Sequence, residues 1–354
     1  MKFYHYCLPG LLILSLLSWK KKDPNVTTSI VSHGQMPNAI NDKSGNLHLV
    51  YGNGDSILYC MSTDGGRNFS KPSLVAKVNN LMLAYSRGPQ IAATEAGITV
   101  MASNTGGDIF SFTKTSPERW SSPTRVNDID TVAKEGLMSL SGDKNLLYAV
   151  WLDLRGNKRN KIVGASSTDG GKTWSKNKLI YSSPDSTVCE CCKPSVYVKN
   201  NTIKVMFRNW LQGNRDLYLI QSLDNGVSFG QATKLGTESW ALNGCPMDGG
   251  GITVTDDGKT ETVWRRKATI YAEEPGKPEK EIGEGKSCVI TAIANNITYA
   301  WVNKGEITCL LPGGSKVTLG KGSFPVLKPA NNKAVLCVWE DNKQIKTATV
   351  ALKD

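Results

Sequence analysis

Residues 167–174 read Ser-Thr-Asp-Gly-Gly-Lys-Thr-Trp, and this stretch decides the fold of the chain. In the pattern Ser-x-Asp-x-Gly-x-Thr-Trp, Asp169 is suited to accept backbone N–H bonds across a tight turn. The two glycines supply the positive φ angles that such a turn needs. Trp174 enters the next strand and packs its apolar face beneath the turn. The motif therefore predicts a strand–turn–strand unit that stabilises its own turn.

The motif is repeated along the chain. Further copies occupy residues 62–69 and 222–229, and a degenerate copy occupies residues 113–120, so that the copies follow at intervals of fifty-odd residues. Such spacing is typical of a repeat architecture, in which neighbouring units bury their apolar faces against each other. We therefore expect the 354 residues to form one large repeat domain rather than two ordinary domains.

Short apolar strands with a common ending recur through the same region. The second strand of each unit ends in a bulky residue followed by polar ones, at Tyr51, Met101, Trp151, Phe207, Trp264, Trp301 and Trp339. These strands are too short for helices and rich in β-forming residues, and no amphipathic helix is evident. Seven endings predict an all-β propeller of seven blades, since radial repetition leaves only short sheet edges.

The repeated motif is known as an Asp-box, and its placement resembles that in the sialidase-like propellers, the BNR/Asp-box repeat proteins. The resemblance covers the chain from about residue 35 to the C-terminus. Residues 189–195 (Cys-Glu-Cys-Cys-Lys-Pro-Ser) and 244–250 (Gly-Cys-Pro-Met-Asp-Gly-Gly) also resemble a little-described bacterial branch. The resemblance implies a sialidase-like β-propeller. True sialidase propellers have six blades, so six is the alternative count.

The N-terminal segment is predicted to direct export. Residues 1–18 contain an apolar run whose length fits a secretory signal and is short for a membrane span. Lysines follow, as in bacterial lipoproteins, although Trp19 stands where the lipidated cysteine would be. We expect a signal over 1–18, an exposed tether over 19–34 and one propeller domain over 35–354. The protein would then be periplasmic, on the cell surface or extracellular, with any membrane anchoring through the N-terminus.

The formal net charge of +11 suits an acidic glycan or another small anionic ligand. No basic run with interleaved aromatic residues is present, so binding of nucleic acid is not expected. No cofactor is expected either.

The charged residues of interest lie on one face of the predicted propeller. In an antiparallel blade, the turn between strands three and four lies opposite the entrance to strand one. The Asp-boxes on that turn are therefore expected to be structural, and functional loops are expected on the other face. Candidate site residues there are Arg87, Glu135, Asp153, Arg155, Arg208, Arg215, Asp248 and Arg265. We predict that they ring the channel mouth; the alternative is local ion pairs such as Asp153–Arg155.

The resemblance implies a glycoside hydrolase that acts on acidic glycans. In sialidases, arginine forks hold the substrate carboxylate while a tyrosine nucleophile works with a glutamate and an acid–base aspartate. Arg87 lies in the only Arg-x-Pro context of the chain, and Arg208 and Arg265 are its candidate partners. Tyr85 and Tyr299 are the candidate nucleophiles, without a clear motif match. The rival hypothesis is a non-catalytic secreted propeller that binds glycan or protein.

Four cysteines form a second candidate cluster, because Cys189, Cys191 and Cys192 precede one innermost strand and Cys245 precedes the next. In an extended segment Cys189 and Cys191 would point together and Cys192 would point away. We expect one or two disulfides between neighbouring blades, with a thiolate site for a soft metal such as copper as the alternative. Four other cysteines lie in apolar strand-like runs and are expected to be buried: Cys60, Cys288, Cys309 and Cys337.

Overall fold

The computed structural model describes Met1, residues 26–185 and residues 187–352. The described chain consists of thirty β-strands and one turn of 3-10 helix, Pro312–Gly314. Met1 apart, the predicted signal over 1–18 and the start of the predicted tether lie outside the described residues. Within the described part of the chain, no helix has the length and apolar character that crossing a membrane requires.

The strands form seven antiparallel sheets, which are the blades of a propeller. The first strand, β1 (Val26–His33), belongs to the last blade. Blade 1 contains β2 (Gln35–Asn41), β3 (Leu47–Asn53), β4 (Ser56–Ser62) and β5 (Ser73–Lys77). Blade 2 contains β6 (Gln90–Thr94), β7 (Gly97–Ser103), β8 (Ile109–Ser116), β9 (Arg119–Trp120) and β10 (Thr124–Arg125). Blade 3 contains β11 (Met138–Asp143), β12 (Leu146–Asp153), β13 (Lys161–Ser167) and β14 (Lys178–Tyr181).

The remaining blades continue in the same order. Blade 4 contains β15 (Thr187–Val188), β16 (Ser195–Lys199), β17 (Thr202–Trp210), β18 (Leu217–Ser222) and β19 (Thr233–Lys234). Blade 5 contains β20 (Gly250–Val254), β21 (Thr260–Arg266), β22 (Thr269–Glu273) and β23 (Lys280–Glu284). Blade 6 contains β24 (Lys286–Ile293), β25 (Asn296–Asn303), β26 (Glu306–Leu310) and β27 (Lys316–Lys321). Blade 7 contains β28 (Ser323–Asn331), β29 (Ala334–Asp341), β30 (Gln344–Ala351) and β1.

The innermost strands close a ring around a central channel. Each contacts the innermost strands of the two neighbouring blades, and β28 of blade 7 contacts β2 of blade 1. The prediction of an all-β propeller with seven blades is confirmed, and the alternative of six blades is wrong. The face that carries the entrances to the innermost strands is called the mouth face below, and the opposite face is called the Asp-box face.

The N-terminal strand completes the last blade. β1 pairs antiparallel with β30, from Val26 opposite Val350 to His33 opposite Gln344. Without β1, the edge of β30 would present unpaired backbone groups to solvent. The sequence Val-Thr-Thr-Ser-Ile-Val-Ser-His is rich in β-forming residues and suits this position. Residues 26–33 of the predicted tether are therefore a blade strand, and the propeller begins there rather than at residue 35.

The bulky residues that end the second strands fill the spaces between blades. Tyr51, Met101, Trp151, Phe207, Trp264, Trp301 and Trp339 are each at most 2% exposed. One apolar cluster lies between each pair of neighbouring blades, and these residues belong to six of the seven clusters, with Met101 and Trp151 in the same one. Burying one large apolar side chain contributes roughly 1.5–3 kcal/mol, so these clusters hold the ring together.

The Asp-box at residues 167–174 joins blade 3 to blade 2. Asp169 accepts hydrogen bonds from the backbone N–H of Thr173 over 3.0 Å and from its hydroxyl over 2.6 Å. The carbonyl of Gly170 accepts from the hydroxyls of Thr99 and Thr113 in blade 2, over 2.7 and 2.6 Å. Gly170 has a φ of +74°, which the turn requires. This Asp-box is structural, as predicted.

Candidate functional site

Arg87 and Glu135 form an ion pair on the mouth face, between the entrances of blades 2 and 3. The Nε of Arg87 donates to the backbone carbonyl of Glu135, and its Nη2 lies 3.5 Å from Glu135 Oε2. Only 13% of the Arg87 side chain is exposed. The guanidinium therefore binds the neighbouring blade and does not project freely toward the channel.

Asp153 and Arg155 form the local ion pair that the sequence left as the alternative. Asp153 is fully buried, and its Oδ1 accepts from the backbone N–H and the Nε of Arg155, each over 2.8 Å. The guanidinium also reaches Asp128 over 3.2 Å and Asn177 over 3.0 Å. Those partners flank the outermost strands of blades 2 and 3, so this pair lies away from the channel.

Arg208 is a buried cation at the interface between blades 4 and 5. It is 2% exposed, and its three donor nitrogens bind the backbone carbonyls of Asp248, Arg215 and Arg265 over 3.1, 2.6 and 2.8 Å. The guanidinium also lies 5.3 Å from the centre of the Trp240 ring. Because a buried charge must be compensated, these contacts hold blades 4 and 5 in a fixed arrangement.

Asp248 supplies the negative charge of the same interface. Its Oδ2 accepts from the Nε of Arg265 over 2.7 Å and from the backbone N–H of Ser287 over 2.9 Å. Burial raises the pKa of Asp248 above its usual value, although Arg265 and Arg208 oppose this effect. Arg265 also binds the backbone carbonyl of Pro246 over 2.7 Å.

The eight predicted residues thus separate into three groups. Arg208, Arg215, Asp248 and Arg265 meet at the interface of blades 4 and 5, whereas the pairs Arg87–Glu135 and Asp153–Arg155 lie elsewhere. The predicted single ring of arginines is not formed, because each guanidinium binds groups of its own or a neighbouring blade. Topology alone placed these residues correctly by face but could not assign their partners.

Cys191 and Cys245 form a disulfide between the entrances of blades 4 and 5, with 6.1 Å between their Cα atoms. The prediction of a disulfide between neighbouring blades is confirmed for this pair. The predicted alternation of Cys189, Cys191 and Cys192 is wrong, because residues 189–192 form a turn. The backbone N–H of Cys192 points to the carbonyl of Cys189 over 3.4 Å, and their sulfur atoms are 3.0 Å apart.

The thiol of Cys189 lies in a strongly positive environment. The Nη1 of Arg215 is 3.2 Å from the Cys189 sulfur and 3.1 Å from Glu190 Oε2. Burial alone would raise the pKa of Cys189, but the thiol of Cys192 and the charges of Arg208 and Arg215 lower it to about 7. The sulfurs of Cys189, Cys191 and Cys192 lie within 4.8 Å of one another. Because Cys191 and Cys245 form the disulfide, two of the four cysteines keep thiols that a soft metal such as copper could bind, Cys189 and Cys192.

Two lysines of the central channel were missed by the sequence analysis. Lys193 lies at the entrance to β16 in blade 4, and Lys328 lies in β28 of blade 7, across the ring. Both line a cavity of about 600 Å³ between the innermost strands. A lysine within an innermost strand, as Lys328 is in β28, is the signal that could have identified this site, since alternate residues of such a strand face the channel.

The two lysines differ in their partners. Lys193 Nζ donates to Gln90 Oε1 over 2.8 Å, and that oxygen also accepts from Asn38 Nδ2 over 2.8 Å. Lys328 forms no hydrogen bond or ion pair with any residue that the structure describes. Burial and the charge of Lys328 lower the pKa of Lys193 to about 8, and burial lowers the pKa of Lys328 to about 8.

The candidate nucleophiles lie in unsuitable positions. Tyr299 donates to Glu261 Oε1 over 2.9 Å, which is a tyrosine–carboxylate pair of the kind a sialidase requires. Both residues lie in the earlier half of a second strand, toward the Asp-box face and away from the arginines. Burial raises the pKa of Tyr299, which disfavours its nucleophilic form. Tyr85 is 62% exposed on the mouth face, with no hydroxyl hydrogen bond to a described carboxylate.

Comparisons with known proteins support the fold alone. No family model matches the chain, and no curated protein is similar to it. A protein of unknown function from Dyadobacter fermentans is 14% identical with a TM-score of 0.52, over 94% of this chain and 100% of that one. The virginiamycin B lyase of Staphylococcus aureus is 12% identical with a TM-score of 0.53, over 93% and 99%. The sialidase of Trypanosoma rangeli is 12% identical with a TM-score of 0.49, over 94% and 59%.

Proposed function

We propose that this protein is a non-catalytic propeller that binds the carboxylate group of an acidic sugar in its central channel. The site consists of Lys193 and Lys328, which lie in blades on opposite sides of the ring. The ligand class is the one that the net charge and the repeat resemblance predict, whereas the binding residues are lysines rather than arginines.

The observation that carries this proposal is the ammonium group of Lys328, which has no partner among the described residues although it lines the central channel. The acidic residues of the same cavity are engaged elsewhere. Asp248 binds Arg265, Asp256 lies 3.7 Å from Lys199, and Asp143 accepts the backbone N–H of Asn200 over 2.6 Å. Two ammonium groups in one cavity repel each other, and an anionic ligand would relieve that repulsion.

Hydrolysis of the ligand has less support. A sialidase holds the substrate carboxylate with open arginine forks, whereas Arg87, Arg208 and Arg265 bind groups of the protein itself. The Tyr299–Glu261 pair is too far toward the Asp-box face to act beside these arginines. These contacts favour a binding module over an enzyme.

Calorimetric titration with glucuronate and with N-acetylneuraminate tests the proposal, with glucose as the neutral control. Wild type should bind the acids and not glucose. Lys193→Met and Lys328→Met should each weaken binding about tenfold or more, because each removes a charge-assisted hydrogen bond worth about 1.5–3 kcal/mol. Lys71→Met, at an exposed position in the turn before β5, is the matched control and should bind as wild type does.

Two results would contradict the proposal. One is equal binding of the acids by wild type and by both channel variants. The other is release of free sugar from a sialoside or an uronic-acid glycan, which would restore the hydrolase hypothesis.

A further inference from the structure

A free thiol pair lies directly beside the disulfide of the mouth face. The sulfur of Cys189 is 3.7 Å from that of Cys191, which is bonded to Cys245. The same Cys189 sulfur is 3.0 Å from that of Cys192. A thiolate exchanges with a disulfide by attacking one of its sulfurs, and Cys189 is within reach of Cys191 for that step.

The groups around Cys189 favour its thiolate form. Arg215 donates to its sulfur over 3.2 Å, and Glu190 binds the same guanidinium over 3.1 Å. Groups of blades 4 and 5 surround this cluster: Arg208 and Arg215 act on the sulfurs, Glu190 binds Arg215, and Asp248 binds Arg265. Burial opposes ionisation of Cys189, but the Cys192 thiol and the charges of Arg208 and Arg215 lower its pKa to about 7, so a large fraction is ionised near neutral pH.

The two ends of the disulfide differ in accessibility. Cys191 is 7% exposed, whereas Cys245 lies exposed on the loop that leads into blade 5. An attack on the Cys191 sulfur therefore expels Cys245 toward water, where its thiolate is solvated and readily protonated. The reverse attack, by Cys245 on Cys191, returns the chain to its starting state.

We propose that these four cysteines form a thiol–disulfide exchange centre, in which the bond moves from Cys191–Cys245 to Cys189–Cys192 and Cys245 becomes an exposed nucleophile. In the first step the Cys189 thiolate bonds to Cys191, the Cys191–Cys245 bond breaks, and its electron pair leaves on Cys245. In the second step the buried Cys192 thiol bonds to Cys189, the Cys189–Cys191 bond breaks, and the proton of Cys192 passes to the departing Cys191 sulfur, which lies in the same cluster. Each step breaks one disulfide and forms one, so neither needs an oxidant.

The exposed Cys245 thiolate is suited to a partner that carries a disulfide. It attacks one sulfur of that disulfide, forms a mixed disulfide and releases the other sulfur as a thiolate. The exchange also opens the covalent link between blades 4 and 5, whose contacts through Arg208 remain in place. This activity is independent of ligand binding in the channel.

The test uses the full chain, purified without reductant, and the aromatic disulfide 5,5′-dithiobis(2-nitrobenzoic acid) at saturating concentration. The native protein should release thionitrobenzoate at a rate independent of the reagent concentration. That rate should rise about tenfold from pH 6 to pH 8, as the ionised fraction of Cys189 rises through its pKa of about 7. Peptide mapping after acid quenching should find a disulfide between Cys189 and Cys192, with Cys245 carrying the label or, where the freed Cys191 thiol has displaced that label, rejoined to Cys191.

Variants separate this activity from simple exposure of a thiol. Cys189→Ser should abolish the labelling of Cys245, whereas Cys60→Ala, in a buried strand of blade 1, should leave it unchanged. The proposal is overturned if Cys189→Ser is labelled as fast as wild type. It is also overturned if wild type at pH 8 keeps Cys189 and Cys192 as free thiols beside an intact, unlabelled Cys191–Cys245 peptide, or lacks that disulfide at the start. The wild-type peptide maps decide the matter even if Cys189→Ser does not fold.

Discussion

Replacing Cys245 with serine should lower the free energy of unfolding by about 4 kcal/mol. The disulfide joins residues separated by 54 positions in the sequence. In the chain-entropy relation a loop of that size loses about 14 cal/mol/K in the unfolded state, which is about 4 kcal/mol at 25 °C. Because Cys245 is exposed, serine creates no cavity and buries no hydroxyl there, so the loss of the cross-link dominates.

Denaturation by guanidinium chloride, followed by tryptophan fluorescence, measures this loss. The titrations are run at pH 6, where Cys189 is mostly protonated and exchange is slow. Reductant should bring wild type down to the stability of Cys245→Ser and should not change the variant. Cys60→Ala, which keeps the disulfide, should retain the sensitivity to reductant. A difference below about 1 kcal/mol, or an equal effect of reductant on Cys245→Ser, would refute the reasoning.

Three other perturbations test the contacts described above. Lys328→Met should raise the pKa of Lys193 above about 8, because it removes a neighbouring positive charge; NMR titration of the lysine side chains measures this, and an unchanged pKa contradicts it. Arg208→Met should lower the free energy of unfolding by about 3–5 kcal/mol and Arg87→Ala by about 1 kcal/mol, because of these two side chains only that of Arg208 is fully buried. Denaturant titration measures both values, and equal losses would be inconsistent with the structure. Hydrogen bonds from its turn hold the pKa of Asp64 at about 2, below the value in the unfolded chain. The ionised Asp64 should therefore stabilise the folded state fully above about pH 4, and this contribution should be lost as the pH falls through 2. In a series of thermal unfolding curves at different pH, Asp64→Asn should reduce the loss of stability at acidic pH. A pH dependence equal to that of wild type would contradict this role of Asp64.

The fold could be predicted because its determinants are local. The motif at residues 167–174 contains the hydrogen-bond donors, the acceptor and the glycines of its own turn, and each repeat of the motif predicts the same local geometry. The bulky strand endings, such as Trp151 and Trp301, mark one blade each because every blade must bury the same face against a neighbour. Strand β1 was missed because its partner, β30, lies at the other end of the chain.

For the candidate site, the sequence could predict only the face of the propeller on which the charged residues lie. The three carbonyl partners of Arg208 belong to two different blades, and nothing in the local sequence selects them. The turn at residues 189–192 brings Cys192 to Cys189, whereas an extended segment would have separated them. Lys328 was overlooked because a lysine within a strand is expected to be solvent-exposed unless the strand is known to line a channel.

Affinity for glucuronate, measured by calorimetry from pH 6 to pH 10, tests most directly the claim that Lys193 and Lys328 hold an acidic ligand. The carboxylate stays ionised throughout, so any change in affinity reports on the protein. Both lysines have a pKa of about 8, whereas arginine keeps its charge across the whole range. The account predicts constant affinity at the acidic end and a steady loss above about pH 8, absent in the Lys193→Met/Lys328→Met double variant. Affinity that stays constant to pH 10 in wild type would contradict the account and would indicate that arginines, rather than these lysines, bind the ligand.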